Sequence, residues 1–166
     1  MSVILLNGRG QIGTMLKRLT KSISIKGDVY VYHTWNIDDK KEETQKQEYN
    51  KFRNFVRNNE DKRIVFISTS SQSESPYVRY KQISESFLIQ NCDDCLVIRI
   101  PTLVGKGVFK DFKNKIKIPY GEMKIMTIKE ACDVIIHHLD YKGYLKTLTF
   151  EGHKIDAKLV YEMVTL

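Results

Sequence analysis

The sequence predicts an α/β fold: a Rossmann-like, doubly wound parallel sheet. Three observations lead to this prediction. Short apolar or β-branched runs alternate with helical patterns along the chain, which is the order of parallel β-α-β units. The first apolar run leads into a glycine-rich turn and then a helix. Hydroxyl side chains follow a later strand at the end where such sheets bind ligands.

Each strand is predicted from a short run of apolar, β-branched or aromatic residues, and each helix from apolar residues three or four positions apart. Thr127 and Asp156 are expected to cap the last two helices. Parallel β-α-β units are expected to have right-handed crossovers. The predicted strands are 3–6, 28–33, 63–67, 95–100 and 148–150. The predicted helices are 11–23, 38–58, one after Pro76 with Ile83, Phe87 and Leu88 inward, one after Thr127 with Ala131, Val134, Ile135 and Leu139 inward, and one from Asp156 to Val164.

Composition narrows the class of protein. The 166 residues are enough for one core, so 1–166 is expected to form a single domain. The net charge of +7 favours anionic partners, which include dinucleotides, nucleotide-sugars, nucleic acids and anionic membranes. Nucleic acid is the least favoured partner, because no RNA-binding aromatic signature, zinc finger or recognition-helix pattern accompanies the charge. The N-terminus lacks a basic leader and a long apolar run, so we expect a cytoplasmic protein without a membrane span.

No metal site is expected. The histidines His33, His137, His138 and His153 lack a metal-binding spacing. Cys92 and Cys95 form a Cys-x-x-Cys, which can signal zinc or redox chemistry. No second cysteine pair is present, and the two aspartates between them would raise thiol pKa values. A plain turn between a helix and a strand is therefore favoured.

The strongest local motif is a full G-x-G-x-x-G between the first strand and the first helix. Gly8 permits a tight turn, Gly10 lets the backbone approach a pyrophosphate, and Gly13 lets helix and strand pack closely. The N–H groups at the start of the helix would then face the phosphates. The alternative to phosphate binding is a glycine turn that only joins the strand to the helix. Arg9 either pairs with a phosphate, including the extra phosphate of NADP, or is an exposed side chain without a specific role. The predicted cofactor-binding residues here are Gly8, Arg9, Gly10, Gln11, Ile12 and Gly13.

A second constellation combines hydroxyl side chains with a tyrosine and a lysine. Ser68, Thr69 and Ser70 end the third strand, and Tyr77 and Lys81 lie one helical turn apart just beyond it. An ammonium group beside a phenol lowers the phenol pKa and permits proton transfer near neutral pH. A Tyr-x-x-x-Lys pattern alone usually marks only one face of a helix. Here it follows a strand that ends in serine and threonine residues, which makes the pattern a more specific indication of a catalytic site.

These segments resemble the active-site blocks of extended short-chain dehydrogenase/reductases, above all nucleotide-sugar epimerases, dehydratases and reductases. The blocks occur in the family's order and cover nearly the whole chain: 65–71, 75–81, 97–105, 126–131 and 148–164.

The resemblance implies NAD or NADP as cofactor and a small-molecule substrate, possibly a nucleotide-sugar. It implies Tyr77 as catalytic acid/base and Lys81 as its pKa-lowering, ribose-binding partner. Either Ser70 or Thr69 would orient the substrate, since family members use both positions. The resemblance also places Ser68, Pro101 and Thr102 beside the cofactor.

The sequence departs from the family by its short length, so we expect fewer strands and a minimal C-terminal substrate region. The strand 28–33 looks like the family's fourth, which removes the strand that carries the adenosine-ribose acid. If it is the second strand instead, His33 occupies the acid's position. The lysines within 106–117 hold a substrate diphosphate or form a solvated face.

Two functions therefore remain open: a minimal NAD(P)-dependent enzyme and a non-catalytic dinucleotide-binding sensor or assembly protein. Helices 38–58 and 76–91 are the pair that the family uses for dimerisation, so the resemblance also implies a possible homodimer.

Overall fold

The computed structural model describes residues 4–8, 10–25, 27–105, 107–115 and 120–166. Arg9, Lys106 and Lys117 therefore lie outside the described residues. Five parallel strands form the main sheet: β1 (Ile4–Leu6), β2 (Val29–Tyr32), β3 (Arg63–Thr69), β4 (Cys95–Ile100) and, later in the chain, β7 (Thr147–Thr149). Their order across the sheet is β1-β2-β3-β4-β7. The predicted Rossmann-like α/β class is confirmed.

Six α-helices accompany the sheet: α1 (Gln11–Leu19), α2 (Glu42–Arg57), α3 (Pro76–Asn91), α4 (Val108–Lys113), α5 (Ile128–His138) and α6 (Ala157–Thr165). Two predicted caps are present. Thr127 forms a capping box with Glu130 at the start of α5, and Asp156 accepts hydrogen bonds from Lys158 and Leu159 at the start of α6. These caps satisfy backbone N–H groups that a helix cannot pair internally.

Two apolar clusters cover the opposite faces of the sheet. Val65 and Ile67 of β3 face α1 and α5, whereas Ile64 and Phe66 face α2 and α3. This alternation follows from the two-residue period of a strand. Both faces are covered, so the sheet is doubly wound.

The first three crossovers do not share one hand. The connections β1 to β2, β2 to β3 and β3 to β4 step in the same direction across the sheet, yet α1 lies on the face opposite α2 and α3. Connections that step the same way on opposite faces have opposite hands. The expectation that all crossovers are right-handed was therefore wrong. Packing of Ile12 and Leu16 with Ala131, Cys132 and Ile135 of α5 holds α1 on that face.

Helix α3 buries polar residues where apolar ones were predicted. Ile83, expected to point inward, is 39% exposed. Its neighbours Ser84 and Glu85 occupy the inward positions, together with Lys81 and Leu88. Hydrogen bonds rather than apolar contacts satisfy these buried groups, and a hydrophobic pattern cannot register them.

A second, small sheet was not predicted. It contains β5 (Thr102–Leu103), β6 (Glu122–Met126) and β8 (His153–Asp156) in the order β5-β6-β8. Its strand β6 alternates exposed and partly buried residues, so its apolar signal is weak. With α4 and α6 it forms the reduced C-terminal region that the resemblance implies.

Candidate functional site

A cleft of about 1090 Å³ lies at the carboxyl ends of the main strands. Side chains that follow β1, β2, β3 and β4 all reach it, because parallel strands end at the same edge of the sheet. Most of the predicted site residues line it: Gly10, Gln11, Ile12, Ser68, Thr69, Tyr77, Lys81, Pro101 and Thr102. Gly8, Gly13 and Ser70 do not line it.

The three glycines of the motif differ in what surrounds them. A Cβ atom on Gly13 would lie 2.5 Å from Cε1 of His33 and 2.8 Å from the carbonyl oxygen of Gly8, so helix α1 approaches the loop too closely for a side chain. A Cβ on Gly8 would lie 2.8 Å from the hydroxyl of Thr34. A Cβ on Gly10 would have no atom within 4 Å and would project into open space. Gly8 and Gly13 thus serve packing, and Gly10 leaves the approach to α1 open.

The start of α1 has backbone hydrogen-bond donors that the helix itself does not pair. Gly10 is the N-cap residue and provides no side-chain cap. The first N–H groups of a helix have no partner within the helix, and they carry partial positive charge. Since Gly10, Gln11 and Ile12 line the cleft, these groups form a place where a phosphate fits.

Asn7 and His33 fix the loop after β2 against the glycine turn. The Asn7 side-chain oxygen accepts hydrogen bonds from the backbone N–H groups of His33, at 2.7 Å, and Thr34, at 3.0 Å. Nε2 of His33 is buried without a hydrogen-bond partner among the described residues. Burial lowers the pKa of His33 to about 4, so the ring is neutral at neutral pH.

The Tyr77 phenol and the Thr69 hydroxyl meet in the cleft. Both side chains line the cleft, and burial raises the pKa of Tyr77 to about 12, against the lowering influence of Thr69. The expectation of a lowered phenol pKa is therefore wrong for this structure, because desolvation outweighs the stabilisation of the phenolate. Ser70 lies outside the cleft lining and donates its backbone N–H to Ile100. Of the two hydroxyls that the sequence left open, Thr69 is the one beside Tyr77.

Lys81 is 3% exposed, and its ammonium donates to the carbonyl oxygen of Ile67 at 2.8 Å. It lies 4.5 Å from the ring centre of Trp35 and 5.9 Å from that of Tyr77. Burial lowers the pKa of Lys81 to about 7, against the opposing influence of Glu85 and Glu48. The predicted shared face of Tyr77 and Lys81 is present, but the ammonium is directed to the strand backbone.

The buried residues Ser68 and Glu85 form a polar network with the partly exposed Arg99. The Ser68 hydroxyl donates to Oε1 of Glu85. Nε of Arg99 donates to Oε1 of Glu85 at 3.1 Å and to Oε2 at 3.0 Å, and Nη2 donates to Oε2 at 2.5 Å. Ser68 and Glu85 are each 3% exposed. The Ser68 hydroxyl, predicted to touch the cofactor, is thus engaged by Glu85.

Sequence reasoning missed a second wall of the cleft. Gln45, fully buried in α2, accepts a hydrogen bond from Trp35 and donates to the carbonyl oxygens of Asn36 and Asp39, which pins the loop before α2. Gln45 shares the stripe of Phe52 and Val56 at helical spacing, so polar residues on that stripe were the available signal. Gln45 does not itself line the cleft; the cleft residues that sequence reasoning missed include Asp38, Lys40, Glu48, Lys51, Ser71, Ser73 and Ser75.

The remaining sequence features lie elsewhere. Cys92 caps the end of α3 and Cys95 begins β4, and both are buried in the predicted turn. A hydrogen bond between the two thiols raises the pKa of Cys92 and lowers that of Cys95. Lys110, Lys113 and Lys115 are exposed and do not line the cleft.

Within the described ranges, no group of three or more His, Cys, Asp or Glu side chains is placed to hold a metal ion. No helix in the described part of the chain has the length and apolar character needed to cross a bilayer.

Comparison with solved structures identifies the fold class. A dTDP-4-dehydrorhamnose reductase from Clostridium acetobutylicum has a TM-score of 0.73 and 16% identity over 100% of this chain and 82% of its own. The enzyme WbmH from Bordetella bronchiseptica, in complex with NAD+, has a TM-score of 0.76 and 13% identity over 97% and 79%. A dTDP-4-dehydrorhamnose reductase from Bacillus anthracis, in complex with NADP, has a TM-score of 0.68 and 14% identity over 99% and 81%.

These similarities confirm, at the level of the fold, the resemblance that the sequence motifs predicted. No family model matches the chain. No curated protein matches it either.

Proposed function

We propose that this chain binds NAD or NADP and transfers hydride to or from a nucleotide-sugar or a related carbonyl or alcohol. The observation that carries the proposal is that the candidate catalytic residues and the candidate phosphate site share one cleft. Thr69, Tyr77 and Lys81 line it, and so does the start of α1, whose first N–H groups have no partner within the helix. A pyrophosphate would lie in the open space above Gly10, and the nicotinamide would lie beside Pro101 and Thr102, which line the cleft. The nicotinamide, when bound, supplies the hydride chemistry.

Each residue then has a definite task. Thr69 orients the substrate oxygen, and a proton moves between that oxygen and the hydroxyl of Tyr77. The Tyr77 phenol is protonated at neutral pH, so it would donate its proton to a carbonyl oxygen that is being reduced, although its pKa of about 12 makes it a weaker acid than an ordinary tyrosine. Lys81 lies one turn along the same helix face and lines the cleft. Its ammonium would bind a ribose hydroxyl after leaving the carbonyl oxygen of Ile67.

The test is cofactor oxidation with a panel of 4-keto nucleotide-sugars. Tyr77→Phe is expected to lower kcat by about 10²–10⁴-fold, the usual contribution of a general acid. Tyr80→Phe is the matched control, because its hydroxyl donates to Glu42 on the surface and does not reach the cleft. No turnover by the wild type, or equal rates in the two variants, would contradict the enzymatic function.

A non-catalytic dinucleotide-binding protein is the second candidate. Two observations favour it: Lys81 donates to the Ile67 backbone rather than to Tyr77, and the pKa of Tyr77 is raised. This candidate predicts that NADH binds while no substrate in the panel oxidises it. Measuring binding and turnover on one preparation separates the two.

The outer faces of α2 and α3 are proposed as a homodimer interface. Tyr49, Tyr80 and Phe87 form an aromatic cluster there, and Ile83 is exposed beside it. Light scattering is expected to give the mass of two chains, reduced to one by Ile83→Asp. A wild-type mass of one chain would refute the dimer.

A further inference from the structure

The strand order leaves one half of a dinucleotide site without its usual support. In dinucleotide-binding folds the first strand has neighbours on both sides, and each half of the sheet holds one mononucleotide. Here, among the described strands, β1 pairs with β2 alone. The segment from Asn7 to Asp28 contains α1 and one short 3-10 turn in its described residues. In such folds the chain after the first helix normally forms the strands that support the adenosine half of the cofactor. Here, in the described residues, the chain after α1 leads directly to β2.

The acid that binds the adenosine ribose is also missing. Such folds place Asp or Glu about 20 residues after the glycine motif, where it accepts from the ribose 2′-hydroxyl and disfavours a 2′-phosphate. Asp28 is the one acidic residue between positions 1 and 37. It precedes the first residue of β2, at the end of the strand opposite the cleft. His33, at the expected position, packs instead against Gly13.

The other half of the site is complete. The cleft is lined by Thr69, Tyr77 and Lys81, and also by Pro101 and Thr102. The start of α1 offers its N–H groups between the two halves. The contacts with a bound dinucleotide are therefore concentrated on its nicotinamide and phosphate portions.

We infer that this protein recognises the nicotinamide mononucleotide half of its cofactor, that the adenosine half adds little affinity, and that NAD and NADP are not distinguished. This inference rests on the proposed function, since it concerns the same cleft. Reduced nicotinamide mononucleotide should then bind within about tenfold of NADH, a difference of about 1.4 kcal/mol. NADH and NADPH should bind within about threefold of each other, because His33 rather than a carboxylate occupies the position that normally repels the 2′-phosphate.

The experiment is a set of calorimetric titrations with NADH, NADPH, reduced nicotinamide mononucleotide and ADP-ribose. The inference predicts similar Kd values for the first three and a weaker Kd for ADP-ribose, which lacks the nicotinamide. Gly10→Ser should raise the Kd of NADH and of the mononucleotide by the same factor, because both place a phosphate at α1.

The outcomes separate this inference from the proposed function. A mononucleotide more than about 100-fold weaker than NADH, or a tenfold preference between NADH and NADPH, overturns the inference while cofactor binding stands. If no nicotinamide compound binds, the proposed function fails and the inference fails with it.

Discussion

Replacing Gly10 or Gly13, the second and third glycines of the motif, with serine should have different effects on stability. Gly13→Ser places a Cβ within 3 Å of both His33 and the backbone oxygen of Gly8. Overpacking of this kind costs about 1–3 kcal/mol, and replacing a helical glycine returns roughly 0.5 kcal/mol. The free energy of unfolding should therefore fall by about 0.5–2.5 kcal/mol. At Gly10 a Cβ meets no atom within 4 Å, and serine is a favoured N-cap, so the change should stay within about 0.5 kcal/mol.

Urea denaturation of the two variants measures this contrast directly. In thermal unfolding, Gly13→Ser should lower Tm by roughly 2–4 °C for each kcal/mol lost. Combining Gly13→Ser with His33→Ala removes one of the two close contacts, so the double variant should lose less than the sum of the single changes. Equal stability of Gly10→Ser and Gly13→Ser, or strict additivity with His33→Ala, would refute the packing role assigned to Gly13.

Three further predictions concern buried ionisable groups. Burial lowers the pKa of Lys81 from its ordinary value of 10.5 to about 7 in the folded protein, so the unfolded chain binds more protons between those pH values. The free energy of unfolding should therefore rise with pH there by up to about 1.4 kcal/mol per unit relative to Lys81→Met. A pH-independent difference between the two proteins in urea denaturation would reject this. His33, with its pKa lowered from 6.5 to about 4, should make the protein less stable as the pH falls from 6.5 towards 4, and denaturation of His33→Gln at pH values in this window should show a weaker dependence. Glu85→Ala leaves Ser68 and Arg99 without their partner and should lower the free energy of unfolding by about 2–3 kcal/mol. As a control, Lys129→Ala breaks an exposed ion pair with Asp133 and should lower it by less than about 1 kcal/mol. Similar losses in both variants would contradict the importance of the network around Glu85.

The sequence predicted the main sheet because its strands are continuous apolar runs. Residues 63–67 and 95–100 have few polar interruptions and are buried on both faces, so length and β-branching identified them. The helix start signals at Thr127 and Asp156 were equally local, since a capping hydroxyl or carboxylate acts within one turn. Local chemistry was sufficient for these elements.

Features that depend on distant residues could not be predicted. The hand of the α1 crossover depends on the packing of α1 against α5, more than a hundred positions away. The burial of Glu85 depends on Arg99 and Ser68, which lie on neighbouring strands. The raised pKa of Tyr77 reflects desolvation by the folded cleft, which a motif of Tyr and Lys does not reveal. Residue types predicted the candidate site, but the protonation behaviour required the three-dimensional surroundings.

The central claim is that the N–H groups at the start of α1 hold a phosphate while a nicotinamide ring lies against Tyr77 and Thr69. A crystal structure of the protein with NADH tests it most directly. We predict the phosphates within hydrogen-bond distance of the backbone of Gln11 and Ile12, and the ring between Tyr77 and Pro101. A dinucleotide bound elsewhere on the surface, with this cleft filled by solvent alone, would contradict the account.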